Sequence, residues 1–532
     1  MKEIDAIPYQ SMPIFSGLIK DYLNGDRRFK KFSNGFPKLE DFSEQIKIKS
    51  ASFGHAKREV LVHSLLEQYQ GVELTSVTEK NIELLKRENT FTITTGHQLN
   101  IFTGPLYFLY KIVSVINLTK KLKQEYPENN FIPVYWMATE DHDFEEIQYF
   151  NVENQKIVWD DECNGAVGRK NVDSINKIRD EFAQALGSSD RAKELIALFD
   201  ESYKKGNNLT ESTRTLVNTL FGDTGLVIID GDDKALKKQF VSVMEKELLE
   251  NCSFDCVTET NKELSEKYNI QVNPREINLF YLRDGLRERI VFEKDRYIVL
   301  NTQISFTESE ILDELNNYPH HFSPNVILRP LYQETILPNL AYVGGAGELS
   351  YWFQLKSTFE AFNIPKPIVL LRNAAVIISP KQLRQLDKLD LNFIECCHSL
   401  DTIINKKVKE RSSLDFDFSN EKEKLASIYN GFFEIAKQTD KSFIGAVNAQ
   451  FKKQTKGLEK LEKRLVKAEK KKQQDYIERL TRLKKELFPN NNLQERQLNF
   501  SQFYTAEGKE FIPALIDIFD PLIPAFNIIA IE

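Results

Sequence analysis

The chain has 532 residues, 41% of them hydrophobic and 28% charged, with a formal net charge of −7. That length permits several domains around a large core, and the acidic balance argues against nucleic-acid binding through bulk charge. No apolar run reaches the roughly 18–20 residues of a membrane span, Met1-Lys2-Glu3-Ile4-Asp5 carries no leader-like apolar stretch, and five cysteines in so long a chain make no disulfide framework, so a reducing cytoplasm is the expected compartment.

Residues 1–90 read as an irregular lead-in (Pro8, Pro13, Gly17, Gly25, Gly35, Pro37) followed by helices, one around residues 56–70. Phe91-Thr92-Ile93-Thr94 and Ile132-Pro133-Val134-Tyr135-Trp136 read as strands. Between them Leu109, Ile112, Val113, Ile116 and Leu122 recur at helical spacing. This βαβ unit completes a first segment, 1–150, holding the lead-in and the first half of an α/β core. Residues 151–220 are polar and helical and read as a first insertion. Residues 221–250 return to the core with Gly225-Leu226-Val227-Ile228-Ile229-Asp230-Gly231 and a helix, a short apolar run bounded by glycines of the kind buried on both faces of a parallel sheet. Residues 251–322 read as a second insertion, with strands at Arg289-Ile290-Val291-Phe292 and Tyr297-Ile298-Val299-Leu300. Residues 323–400 resume the core with strands Val326-Ile327-Leu328-Arg329-Pro330 and Ile368-Val369-Leu370-Leu371-Arg372. The fold class is α/β: one doubly wound parallel sheet, interrupted twice, with helices on both faces.

Residues 401–490 change character. Leu425, Ile428, Phe432 and Ala436 line one helix. A longer one, from about residue 443 to 487, carries the seam Ile444, Val447, Phe451, Leu458, Leu461, Leu465, Ala468. The seam resumes at Tyr476, Leu480, Leu483 and Leu487, one residue out of heptad phase, so it slips near Lys470-Lys471-Lys472. An antiparallel coiled-coil arm is expected, its basic face read as solvated rather than RNA-binding. Residues 491–532, apolar from Phe511 to Ile531, return to the core.

The carboxyl ends of the first two core strands carry Thr95-Gly96-His97-Gln98 and Glu140-Asp141-His142-Asp143. Ligand sites of open α/β sheets lie at that edge. Thr103 and Gly104-Pro105 open the following helix, where backbone N–H groups and the helix dipole favour an anion. The acidic cluster, extended by Glu145 and Glu146, crowds carboxylates so that one pKa should rise, which suits acid/base work. Gly344-Gly345-Ala346-Gly347 is a glycine-rich turn into a helix, without the Gly-Lys-Ser/Thr of a Walker loop. Arg329 and Arg372 sit at strand ends, as carboxylate or phosphate clamps would. Cys252 with Cys256, and Cys396-Cys397-His398, lack the matching second pair of a zinc site, and no metal ligand set is assigned.

Three ordered blocks carry a resemblance. Thr95-Gly96-His97-Gln98 with Phe102-Thr103-Gly104-Pro105-Leu106-Tyr107 is the first, and Pro133-Val134-Tyr135-Trp136 through Glu145-Glu146 the second. Ser323-Pro324-Asn325 through Gln333-Glu334, Gly344-Gly345 and Tyr351-Trp352 is the third. With the arm and Leu493-Gln494-Glu495-Arg496, most of the chain resembles the cysteine-adding enzymes (cysteine ligases) of bacillithiol biosynthesis. The resemblance implies a Rossmann-type core like that of class I aminoacyl-tRNA synthetases and nucleotidyltransferases, two inserted connecting-peptide regions, and a homodimer made through the arm. It implies that the carboxyl of L-cysteine is joined to the amine of glucosaminyl-malate, with ATP as cosubstrate activating the carboxyl. Its catalytic candidates are Glu140, Asp141, His142, Asp143 and His97, and its substrate-binding candidates Gln98, Tyr107, Arg329, Gln333, Glu334, Trp352 and Arg372. Nucleotide or anion binding falls to Gly96, Thr103, Gly104, Gly344, Gly345 and Gly347. The alternative reading keeps the fold as a nucleotide-binding scaffold or nucleotidyltransferase whose coiled coil recruits a partner. Neither membrane nor nucleic acid is an expected partner.

Overall fold

The computed structural model describes residues 1–152 and 155–531. The chain divides into two compact units, Met1–Ile378 with Asn492–Glu532, and Ser379–Asn491.

The first unit is built on a five-stranded parallel sheet. In spatial order its strands are Ile368–Leu371, Asn339–Gly344, Thr90–His97, Asn130–Met137 and Val227–Asp230. Every residue of Thr90–His97 is buried, as a strand covered by helices on both faces must be. The helix Tyr107–Glu125 crosses from the first strand to the second and buries Val115, Leu118 and Leu122 among Phe91, Ile93, Leu340, Val343 and Leu370. Each such side chain contributes about 1.5–3 kcal/mol on leaving water. Numbered along the chain, the strands lie 3-2-1-4-5. The order reverses between Thr90–His97 and Asn339–Gly344, and a crevice opens there beyond the strand ends.

One expected core strand is replaced. Residues 326–328 form a turn, and Arg329 opens the helix Arg329–Ile336, so the fourth sheet strand is Asn339–Gly344 instead. The Asn325 side chain accepts from Ile327 N at 2.9 Å and Leu328 N at 3.4 Å, bending the backbone away from extension. Pro330 then sits in the first helical turn, where its missing donor does no harm.

The expected irregular lead-in begins with a strand, Lys2–Pro8. It pairs with Ala525–Ala530, which also pairs with Ala374–Ile378. Between the third and fourth core strands lies an antiparallel sheet ordered Ser305–Phe306, Arg296–Val299, Leu286–Glu293, Leu279–Arg283, Phe322–Pro324. The two strands read at 289–292 and 297–300 fall inside it. The polar stretch around and after residue 150 holds two antiparallel paired strands, Tyr149–Val152 and Gln155–Val158, and the helices Arg179–Leu186, Asp190–Ser202 and Leu209–Phe221.

The second unit is helical. Ser419–Ala436 and Lys441–Lys472 run antiparallel, joined by the Lys422–Glu462 ion pair at 2.8 Å and by Tyr429 against Phe451, ring centroids 5.1 Å apart. The single helix expected over residues 443–487 is two: it leaves helical geometry at Gln473 (φ −101°, ψ 25°) and restarts as Gln474–Leu487, where the apolar seam slips phase. Ile428, Phe432 and Ile435 are 61%, 47% and 55% exposed. No helix among the described residues is long and apolar enough to cross a membrane.

Candidate active site

A cavity of about 700 Å³ opens at the crevice. Its floor is made by Gly96, His97 and Gln98 at the end of one strand and by Trp136 to Asp143 at the end of the next. Lys111, Arg329, Tyr342, Glu348 and Tyr351 form one wall, and Arg275, Phe280, Arg287 and Arg289 the opposite one.

At the strand end Gly96 is tightly approached: a Cβ would meet the Tyr342 hydroxyl at 3.0 Å, so that side chain would have to give way. Lys111, a lone cation within the buried run of its helix, donates to Gly96 O at 2.8 Å and pairs with Glu348 at 2.6 Å. Glu348 also accepts from Tyr342 Oη at 2.6 Å and from Gly345 N at 2.8 Å. The two strands flanking the crevice are thus tied through one ion pair, between buried Lys111 and half-buried Glu348. Burial lowers the Lys111 ammonium, and Glu348 holds it up.

His97 stacks on Tyr107 and packs against Phe108, ring centroids 5.1 and 4.9 Å away. Its Nδ1 lies 3.1 Å from Gln98 O, which assigns the proton there. Nε2 is then a buried acceptor without a partner. Burial, with Lys111 beside it, pushes the imidazole down to about 3, so His97 is neutral near pH 7.

In the acidic cluster the four residues differ in environment. Glu140 is buried and bonded to Lys237, whose ammonium also donates to Phe322 O at 2.5 Å. Burial raises the Glu140 carboxyl to about 7, against the pull of Lys237. Asp141 accepts from Gln98 Nε2 and from His142 N. Nδ1 of His142 lies 2.5 Å from Arg287 Nη1. A guanidinium only donates, so this nitrogen is the acceptor and the ring carries its proton on Nε2. Asp143 is exposed. Asp141, His142 and Asp143 each offer one ligand atom within 4.8 Å of the others, but a guanidinium already engages the imidazole of that group.

Arg329 donates to Gln333 Oε1 at 3.1 Å and lies over Trp136 and Tyr342, 5.8 and 5.5 Å from their ring centroids. Its Nη2 is buried without a partner. Gln333 bonds on to Glu334, which pairs with buried Lys49 at 2.9 Å and accepts from Asn339 at 2.7 Å. Trp352 is buried against Tyr342, centroids 4.5 Å apart. Arg372 pairs with buried Glu495 at 2.6 Å and covers the Tyr107 ring at 5.0 Å.

Of the residues expected to bind substrate, Gln98, Tyr107 and Arg329 therefore line the cavity, whereas Gln333, Glu334, Trp352 and Arg372 lie behind its walls and hold them. Thr103 and Gly104 are also outside it. Their turn, with Phe102, Thr103 and Gly104 at φ 46°, 67° and 59°, closes on Asn499, whose side chain donates to Phe102 O and Gly104 O at 2.8 and 2.6 Å. Gly104 N and Leu106 N are spent on Ile101 O and Leu498 O at 3.0 and 2.9 Å, so these two donors at the helix start are satisfied by protein. Gly344, Gly345 and Gly347 do not line the cavity either; their turn delivers Glu348. Lys111, Lys237, Glu348, Arg275, Arg287 and Arg289 were not among the expected site residues. A lysine within an apolar helical run marks Lys111, and arginines two apart on a strand mark Arg287 and Arg289.

A Rossmann-type sheet carries neutral His97, raised Glu140 and several guanidinium groups at its switch point, the place where α/β folds of this kind hold their ligands. Residues 2–373 match the family described as "Bacillithiol biosynthesis BshC, N-terminal Rossmann-like domain", and residues 375–531 match its C-terminal coiled-coil domain. A protein of Flavobacterium johnsoniae is 52% identical over 527 residues, covering 99% of each chain. One of Flavobacterium psychrophilum is 51% identical over 526 residues, again 99% of each. One of Christiangramia forsetii is 48% identical over 530 residues, 99% of this chain and 98% of the other. All three bear the name "Putative cysteine ligase BshC". The chain belongs to the bacillithiol biosynthesis BshC family.

Proposed function

We propose that this protein is the carbon–nitrogen bond-forming ligase that joins the carboxyl of L-cysteine to the amine of glucosaminyl-malate, the last step to bacillithiol, with ATP as cosubstrate. The observation that carries the reading is the buried Glu140 carboxyl at the switch-point cavity, raised to about 7. An amine reaches its nucleophilic form only after its ammonium loses a proton, and a base titrating near neutrality takes that proton best. Lys237 holds Oε1 of Glu140, which leaves Oε2 to receive it. His142, with Nδ1 engaged by Arg287, serves as a donor through Nε2–H. The bare Nε2 of His97 serves as an acceptor for a substrate N–H or O–H.

ATP, when bound, supplies the activation that a free carboxylate needs before amide formation. A cavity of about 700 Å³ has room for it. The reaction belongs in the cytoplasm, where cysteine stays reduced. The exposed Ile428, Phe432 and Ile435 suit a homodimer formed through the arm. Thiol profiling of cells lacking the protein tests the assignment. Accumulated glucosaminyl-malate without bacillithiol, restored by the wild-type gene and not by Glu140→Gln, is the expected result. Normal bacillithiol in those cells would overturn it.

A further inference from the structure

We propose that Arg287, Arg289 and Arg329 form a clamp for a dicarboxylate, with Arg275 beside them. Only the identity of that dicarboxylate, the malyl end of the amine substrate, rests on the ligase reading above.

Four arginines line one cavity. Among the described residues, Arg275, Arg289 and Arg329 have no carboxylate within ion-pairing distance, and the nearest to Arg287 is Asp141 at 3.8 Å. Arg289 Nε and Arg329 Nη2 are buried with no hydrogen-bond partner. The chain holds 78 Asp and Glu against 71 Lys and Arg, so acids are not scarce. A buried guanidinium N–H without an acceptor is costly, and a cavity lined by two of them, on Arg289 and Arg329, is relieved by an anionic ligand.

The arrangement favours two carboxylates. Arg287 and Arg289 are two apart on the strand Leu286–Glu293 and so share one face of the sheet. Arg289 lies opposite Phe280 in register, and the Arg287 guanidinium lies over the Phe280 ring at 4.0 Å, anchored to Ser323 Oγ at 3.3 Å. From the other wall comes Arg329, fixed at Nη1 by Gln333 and backed by Trp136 and Tyr342. Arg287 is engaged at Nε by Ser323 and at Nη1 by His142, so the donors left to a ligand include Nε of Arg289 from one side and Nη2 of Arg329 from the other, each able to take a carboxylate oxygen. Phosphate chains are usually cradled by backbone N–H groups at a helix start. Here those of Leu106 and Gly345 are engaged by Leu498 O and Glu348.

Titration calorimetry on the full chain with L-malate alone tests the clamp. Saturable binding is expected, weakened roughly 10–100-fold by Arg289→Gln and by Arg329→Gln, as the loss of a charge-assisted hydrogen bond predicts. Arg289→Lys should recover part of the affinity if charge matters, and lactate, with one carboxylate, should bind at least about tenfold more weakly. Circular dichroism of each variant separates a lost ligand contact from a lost fold. No malate binding to the wild type, equal binding by both folded glutamine variants, or displacement of malate by a lower concentration of pyrophosphate would overturn the clamp. The ligase assignment is read independently in the thiol profile: malate binding with normal bacillithiol in deleted cells would keep the clamp and remove the ligase.

Discussion

Replacing Lys49 by Met decides whether the Glu334 network is framework or binding surface. The two side chains are 1% and 0% exposed and meet at 2.9 Å. Glu334 also accepts from Gln333 and Asn339, and Asn339 in turn accepts from Thr94 at 2.9 Å, so the network reaches the strand that ends at His97. Methionine keeps the length of the lysine stem and deletes its charge, leaving a buried carboxylate uncompensated. Breaking such a pair costs about 3–5 kcal/mol. With an unfolding entropy of about 2.1 cal/mol/K per residue over the roughly 400 residues of this unit, that loss lowers the melting temperature by about 4–6 °C. Burial already raises the Glu334 carboxyl above the ordinary glutamate range, and removing the cation raises it further. A group with a raised folded pKa stabilises the fold below its unfolded value and loses that contribution as pH rises through the folded one. Differential scanning calorimetry should therefore show a smaller deficit near pH 5 than near pH 8, and Lys49→Met/Glu334→Gln should recover much of it. A single variant melting within about 1 °C of wild type near pH 8 would refute the reasoning, since a buried pair cannot be broken so cheaply.

Three other outcomes are expected. Gly104→Ala puts a Cβ 2.6 Å from Asn100 Cβ at φ 59°, and urea unfolding should show a loss of about 1–3 kcal/mol. If Glu140 accepts the amine's proton, the ligation rate should rise with pH through about 7 as the carboxyl ionises, and Glu140→Gln should remove that rise; an unchanged profile would take the base role elsewhere. Ile428→Glu with Phe432→Glu adds charge to one exposed helical face and should weaken self-association by about 100-fold or more in sedimentation equilibrium.

Four of the five parallel strands were legible as short β-branched or apolar runs, Asn339–Gly344 being the one not read, and the site edge was legible because polar residues follow two of them. The misread strand at residues 326–330 shows the limit of such runs: one Asn side chain capping two backbone donors turns an apolar stretch into a helix start. Lys2–Pro8 was illegible because its partner lies at the far end of the sequence. Within the site, His97 and the acidic cluster stood out by composition, but the charge state of His97 and of Glu140 is set by burial and by neighbours remote in sequence, Lys111 for the first and Lys237 for the second. For the same reason no local pattern distinguishes Arg329, which faces the cavity, from Arg372, which is neutralised by Glu495.

The three-stranded sheet sets an order on how the protein is made. Glu3 bonds to Asn527 across 524 positions, and Ala525–Ala530 is the middle strand that both Lys2–Pro8 and Ala374–Ile378 need. At about 5–20 residues per second, a ribosome takes roughly 30–100 s to reach that strand. The Lys2–Pro8 edge waits on the nascent chain for nearly all of that time, and the Ala374–Ile378 edge for roughly the last 7–30 s of it, each open to pairing with other chains. A cell short of chaperones should therefore lose this protein to aggregation during synthesis sooner than after release, and pulse-labelled full-length chains should turn soluble together rather than by halves.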